Sequence, residues 1–391
     1  MSTAQENRPQ NDRLPFLDGL RAAAALYVVA HHAMLEFWGP DRGMPTGAFM
    51  HAVARLLSYG HLSVNIFIVL SGFCLGLPVA KAGGVLPGGL RAFFRRRAWR
   101  ILPPYYLAML LSLVLIATVV GERTGTHWDR STVVTPFGVI GNALMLQDVL
   151  GGINGQINHC FWSIAVEWHI YLLFPVVVAG WRHFGVVRTS ALWITAAIAG
   201  QILLRDTRLA GLYLHYIALF CLGALAARTC YSPGPRARAL RERWPWGITA
   251  LVFGAGAICA CAVLPWGQWA RNFAALDPVS GLATAAGLVF LTRSPSHPVA
   301  RVLSTRPAVF LGEYSYSTYL IHAPLLQAAW LLAVRGLHLG QVSGFWFVML
   351  AGMPVILLAS YLFFLGCERP FIVRRRNTSW GKLGEPASVS A

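Results

Sequence analysis

Apolar runs of a length that crosses a bilayer recur along the whole chain. They begin near Leu14, His61, Ile101, Phe161, Ser190, Gly211, Trp244, Val279, Ala308 and Gly344. A helix needs about twenty such residues to span the hydrocarbon core. The runs are continuous, not alternating, which disfavours a transmembrane β-barrel. Only 12% of residues are charged and 56% are hydrophobic, against about a quarter charged in soluble domains. The expected fold is all-α: a polytopic membrane bundle of about ten transmembrane helices. It forms one domain over 14–372, between polar tails at 1–13 and 373–391.

A formal net charge of +17 would suit a nucleic-acid partner, but the placement of the arginines argues otherwise. If the N-terminus is cytoplasmic, Lys and Arg favour the cytoplasmic segments by about three to one, as the positive-inside rule requires. Both termini are then cytoplasmic, the lipid bilayer is the partner, and nucleic acid is not. The opening MSTAQENRPQNDR lacks the basic start and cleavage site of a secretory signal, so the first apolar helix is expected to be retained. Two outer loops are long, from about Glu36 to Gly60 and from Gly121 to Cys160, and are where an external substrate would be held. The second contains FGVIGNALMLQ, too short and polar to span and expected to be interfacial or re-entrant. Asn377-Thr378-Ser379 fits a glycosylation sequon but falls on the expected cytoplasmic side. The seven cysteines show no disulfide or zinc spacing, so no metal is expected and the thiols are read as buried and inert.

The stretch RLPFLDGLRAAAALYVVAHHA, Arg13 to Ala33, carries the strongest chemical signal. Eleven helical steps separate Arg21 from His32, about 20° from whole turns and roughly 16 Å along the axis. The two share a face, with Asp18 three residues before Arg21, while His31 falls about 80° to the side. Ionisable groups within a span mark a bundle interior or an aqueous cavity. A neutral imidazole there can take a proton from a hydroxyl as its oxygen attacks an acyl carbon.

Four further stretches carry chemistry. In FFRRRAWRILPPYY, Arg97 and Arg100 are one turn apart, and their guanidinium forks suit phosphate groups. In HCFWSIAVEWHIYLLFP, Ser163, Glu167 and Tyr171 recur every four residues on one face. In LGEYSYSTYLIHAPLL, Ser315, Tyr319 and His322 share a face, and the Ser-Tyr-Ser run marks a helix start. In VNIFIVLSGFCL, Ser71-Gly72 permits close backbone approach.

In this order, these stretches resemble the acyltransferase type 3 family of membrane O-acyltransferases, whose first-helix signature is a basic residue, ten residues, then His. LDGLR with Arg21 and His32, VNIFIVLSGF, the paired Arg97 and Arg100 before ILPPYY, FWSIAVE, YSYSTYLIHAP and finally CERPF carry the likeness from about Leu14 to Phe371. The resemblance implies a ten-helix bacterial inner-membrane enzyme. It would move an acyl group, usually acetyl, from cytoplasmic acyl-coenzyme A to a sugar or similar hydroxyl. It implies catalytic roles for His32, Arg21 and Glu167, and donor-binding roles for Arg97, Arg100, Ser71 and Gly72. His322 and Tyr171 are added as substrate-binding candidates from their spacing. Acyl-coenzyme A is a donor substrate, and no permanently bound cofactor is expected. Asn65 stands where the family commonly has Asp, and Trp168-His169 replaces a frequent Glu-Gln. Some relatives add a soluble domain after the last helix; here the sequence ends about twenty residues after Phe371, so the bundle is expected to act alone or with a separate partner.

The expected function is therefore transfer of an acyl group to a cell-surface carbohydrate or glycolipid. His32 serves as general base or as a transient acyl carrier; the residues leave these two routes open. A flippase or exporter is the rival class, because buried charge suits it equally. Against it stand the absence of a half-length repeat and of paired broken helices. A small-molecule tailoring enzyme would share the chemistry but not the acceptor.

Overall fold

The computed structural model describes residues 14–39, 42–207, 209–264 and 269–372, apart from the side chains of 269–273 and 275. The tails at 1–13 and 373–391, with the Asn377 sequon, lie outside the described residues. Apart from one isolated bridge between Gly39 and Gly43, the described secondary structure is helical.

The first part comprises α1 (Pro15–Phe37), a short α2 (Ala48–Leu57), α3 (His61–Lys81) and α4 (Gly89–Leu115). Pro15 at the first helical position and Asp18 in the first turn start α1, where a missing N–H costs nothing and a carboxylate meets the positive end of the dipole. The long connection that follows contains a 3₁₀ turn at His127–Arg130 and α5 (Pro136–Ala143). The central helices are α6 (Phe161–His183), α7 (Val186–Leu204), α8 (His215–Tyr231), α9 (Pro235–Arg243), α10 (Trp246–Val263) and α11 (Trp269–Arg293). Short α12 (Pro298–Leu303) and α13 (Arg306–Glu313) lead to α14 (Ser315–Leu331), and α15 (Gln341–Phe347) and α16 (Met353–Phe363) follow.

Among the described residues, eight helical segments are long and apolar enough to cross a membrane. The protein is thus a polytopic helical membrane bundle. The runs expected near Leu14 and Val279 are the other two long helices, α1 and α11, of 23 and 25 residues. Neither is among the eight, which were counted over the described residues alone; α1 carries Asp18, Arg21 and Glu36. The run expected from Ala308 is interrupted instead: α13 ends at Glu313, and α14 starts afresh at Ser315.

The most intimate crossing joins α3 to α8. A Cβ on Gly72 would collide with the Phe220 carbonyl, and one on Gly223 with the Val69 carbonyl. Small residues let membrane helices approach this closely, where dispersion between backbones replaces the hydrophobic effect as the cohesive force. The FGVIGNALMLQ stretch forms α5, with Phe137 and Ile140 exposed. The hydroxyls of Tyr105 and Tyr106 on α4 donate to the Asn142 and Ala143 carbonyls at its end. It is a short helix tied back to the bundle.

Candidate active site

His32 lies in the last turns of α1, and its tautomer is set by a chain of acceptors. The His322 Nδ1 lies 3.0 and 2.8 Å from the carbonyl oxygens of Thr318 and Tyr319. Carbonyls only accept, so that nitrogen carries the proton, and neutral His322 offers its lone pair at Nε2. The His32 Nδ1 is 2.8 Å from that Nε2. It therefore donates, and the lone pair of His32 stands at Nε2. Cys160, the residue before α6, places Sγ 3.7 Å from His32 Nδ1 and 3.6 Å from His322 Nε2.

A cavity of ≈ 480 Å³ lies against His32. Its lining includes His32, His127, Arg130, His159, Trp162 and Tyr213. The Gly121–Cys160 loop, expected to hold an external substrate, supplies most of this wall. The His32 ring stacks with His322 at 5.0 Å between centroids and with His127 at 5.9 Å, and it meets His159 edge-on at 5.0 Å. Burial pushes the His127 imidazole down to about 3, with the nearby Arg130 charge adding to the effect. Burial, and then the neighbouring His127, likewise hold His159 well below its usual range. Both loop rings are neutral at physiological pH. His31 turns elsewhere: its Nδ1–H donates to the Leu57 carbonyl at 2.6 Å, and Gly60 packs against the ring. It ties α1 to the α2–α3 corner.

The other candidates gather in a second cluster nearer the start of α1. Arg21 donates to Asp18 at 2.8 Å and to the Cys74 sulfur at 3.0 Å. Ser71 and Tyr171 both donate to the same Glu167 oxygen, and the two hydroxyls lie 3.2 Å apart. The Arg97 guanidinium stands 6.0 Å from the Tyr171 ring centroid. Arg100 acts electrostatically on Glu368 and Tyr316. Glu368, in the CERPF stretch, accepts a 2.6 Å hydrogen bond from Ser317 in the YSYS stretch. Two motifs 51 residues apart thus meet. Arg21 and Glu167 find their partners here and not at His32. Gly72 is taken up by the α3–α8 crossing and adds no polar contact.

A polar line connects the clusters. From Cys160 at the start of α6 it runs through Ser163, Glu167 and Tyr171, a rise of roughly 16 Å. Ser163 and Tyr319 share a 2.6 Å hydrogen bond between hydroxyls, and the Tyr319 ring lies 5.8 Å from His322. Further along α14, Gln327 accepts from Thr126 at 3.0 Å and donates to Thr124 at 2.9 Å, both in the long loop. In effect α14 is the rail: it touches the CERPF carboxylate at its start, His32 midway and the covering loop near its end.

Residues 14–365 match the family model of the acyltransferase domain. The chain belongs to that family. It is 28% identical over 345 residues to the acyltransferase MdmB of Streptomyces mycarofaciens, covering 80% of this chain and 79% of that one. It is 24% identical to a putative peptidoglycan O-acetyltransferase, YrhL of Bacillus subtilis, over 88% of this chain and 53% of the relative. It is 23% identical to the O-acetyltransferase OatA of Staphylococcus aureus, over 80% and 50%. The chain spans about half the length of the last two. No solved structure matches it.

Both sequence departures within this acyltransferase have structural partners. Asn65 donates to Asp277 and to Ser280, each at 2.8 Å, and His215 holds the other Asp277 oxygen at 2.9 Å. An Asp at 65 would set two carboxylates against each other in a buried site. His169 pairs with Asp148 at 2.9 Å. Sequence reasoning missed His127, His159 and Cys160 as members of the site. His159 and Cys160 immediately precede the FWSIAVE helix, and that adjacency was the available signal. His127 stands alone in a loop and offered none. Cys160, read as inert, is in van der Waals contact with two imidazoles. Glu36, one turn beyond His32 on α1, is buried and faces Thr126 and Trp128 of the long loop.

Proposed function

We propose that the protein transfers an acyl group, most simply acetyl, from acyl-coenzyme A to a hydroxyl of a carbohydrate or glycolipid acceptor. The observation that carries this is His32, which lines a cavity while its Nδ1 is held by His322 and its lone pair is left at Nε2. In this scheme the donor enters from the cytoplasm of a bacterial inner-membrane protein whose two termini are both cytoplasmic. Its phosphates rest on Arg97 and Arg100, with Arg21 adding positive field. The flexible pantetheine arm threads past Ser71, Glu167 and Tyr171 toward His32, roughly 16 Å further along the helices. The acceptor hydroxyl enters the cavity from the loop side.

His32 Nε2 takes the hydroxyl proton as the oxygen attacks the thioester carbonyl. The resulting imidazolium keeps its Nδ1–H on His322, which stabilises the charge and fixes the ring. Collapse of the tetrahedral intermediate expels the coenzyme A thiolate, and His32 returns the proton to that sulfur. The products are the ester and free coenzyme A, with the residue regenerated. This route needs no covalent enzyme intermediate. A His32→Ala protein that inserts and folds normally should lose acyl transfer; full activity in it would refute the assignment. The donor half is tested by thermal stabilisation of purified protein with coenzyme A, which should vanish in Arg97→Ala.

A further inference from the structure

Three histidines converge on one wall of the cavity from separate segments: His32 from α1, His127 from the 3₁₀ turn and His159 from the residues before α6. One ring nitrogen from each lies within 4.8 Å of the other two. All three line the cavity, so the space between them is open to an entering ion. The rings are also prepared for ligation. His32 holds its proton at Nδ1 against His322 and presents Nε2 bare. His159 is buried, its Nδ1 is 3.1 Å from the Ser131 hydroxyl, and its Nε2 has no hydrogen-bond partner. A metal-binding imidazole characteristically donates its second nitrogen to a fixed acceptor, which sets the tautomer and ring direction. His32 has such an acceptor in His322, and the His159 Nδ1 is tied to the Ser131 hydroxyl, which fixes the ring direction.

We propose that His32, His127 and His159 bind a divalent transition-metal ion of the zinc class, and that an ion held there stops acyl transfer by occupying the His32 lone pair. The second half rests on the role given to His32 above; the first half does not. Neutral imidazole is a preferred ligand for zinc, with Zn–N of about 2.0–2.1 Å. Tetrahedral geometry at that length puts ligand nitrogens about 3.4 Å apart, so the rings need close by no more than about 1.4 Å around the ion. The fourth position faces the cavity and is left to water. Arg130 lines the same cavity, and its charge, which bears on His127 and His159, opposes a bound cation; its side chain is exposed, so solvent screens part of that charge. The buried Glu36 carboxyl lies one helical turn beyond His32. No expectation of a metal arose from the cysteine spacing, because the ligands are histidines gathered by tertiary structure.

The test is a Co²⁺ and Zn²⁺ titration of metal-depleted full-length protein in detergent. Cobalt should bind one equivalent, with the intense visible bands of a four-coordinate site and no thiolate charge-transfer band. Zinc should compete it off. His127→Ala and His159→Ala should each weaken binding by about tenfold or more, whereas Cys160→Ser should leave it unchanged. Absence of saturable binding by the wild-type protein would overturn the site, whatever the variants do. A thiolate band, or loss of binding in Cys160→Ser, would overturn it too, by placing the ion among His32, Cys160 and His322, whose facing atoms lie 2.8, 3.6 and 3.7 Å apart. In the activity arm, zinc should inhibit transfer over the concentrations that fill the site, and a chelator should restore it. Stoichiometric binding without inhibition would overturn the regulatory half. Binding by a protein that shows no acyl transfer would count against the enzyme reading and leave the metal site standing.

Discussion

The two ends of the buried polar line hold different kinds of group. Around His32 the buried members are imidazoles, a thiol and hydroxyls, all of which can be neutral, and the one fixed charge among the cavity's lining residues, Arg130, is exposed to solvent. At the other end Glu167 is held by Ser71 and Tyr171, with the Arg97 guanidinium beyond the Tyr171 ring, and Arg21 stands at Cys74, one turn along α3 from Ser71; the guanidinium groups carry fixed charge. In a low-dielectric interior a fixed charge must be paired, and Asp18 and Cys74 satisfy Arg21 accordingly. An imidazole escapes that cost by staying neutral and can still accept a proton when chemistry demands one. One end therefore suits binding an anionic handle, and the other suits moving a proton. The hydroxyl pair Ser163–Tyr319 lies between them. A single helix face thus separates the donor's charge from the reacting carbonyl.

The largest expected effect is at the imidazole end. His32→Ala should lower the rate of acyl transfer by about 10²–10⁴, the usual worth of a general base, with little change in coenzyme A binding. Equal loss of binding and rate would blur the two ends into one. His322 gives a sharper contrast, measured as kcat at saturating acyl-coenzyme A. His322→Gln keeps a carbonyl acceptor for the His32 Nδ1–H and should retain about ten times the activity of His322→Ala, in line with one charge-assisted hydrogen bond.

At the charged end the effect should appear in KM. Arg97→Ala is expected to raise the KM for acyl-coenzyme A about tenfold, the cost of one phosphate contact of about 1.4 kcal/mol, while kcat changes less. A kcat effect larger than the KM effect would place Arg97 in the chemistry. The smallest expected effect on function is at the α3–α8 crossing. Gly72→Ala forces backbones apart and should cost about 1–3 kcal/mol of stability, read as a lower melting temperature in detergent. The KM for the donor should not change. Gly254→Ala on α10, where an added methyl meets open space, should show no such loss. A donor-KM defect in a normally stable Gly72→Ala protein would return that glycine to the binding site.

Much of this was legible in the sequence because helical periodicity is local. A residue's face is fixed by 3.6 residues per turn whatever surrounds it. The rows Arg21–His32, Ser163–Glu167–Tyr171 and Ser315–Tyr319–His322 could therefore be drawn before any helix was packed. The lengths and positions of the apolar runs gave the membrane bundle in the same way, since hydrocarbon thickness is an external ruler. The break before Ser315 was legible only in part, through the Ser-Tyr-Ser run, because Tyr314 continues the apolar pattern on either side.

Partnership across helices was not legible. The pattern that aligned Arg21 with His32 suggested that they act together, yet each binds a different neighbour, about three turns apart. His32 finds His322, 290 residues away, and Cys160, 128 residues away. His127 and His159 join them only because the long loop folds over the end of α1. Which faces meet depends on where small residues let helices close, as Gly72 and Gly223 do, and on how a loop covers the opening. Such distances are set by packing among segments far apart in the chain, and no period within a single segment encodes them. The sequence by itself determined a helical membrane bundle and the rows of polar residues its helices carry; tertiary packing decided which rows face each other, and so where a proton can move.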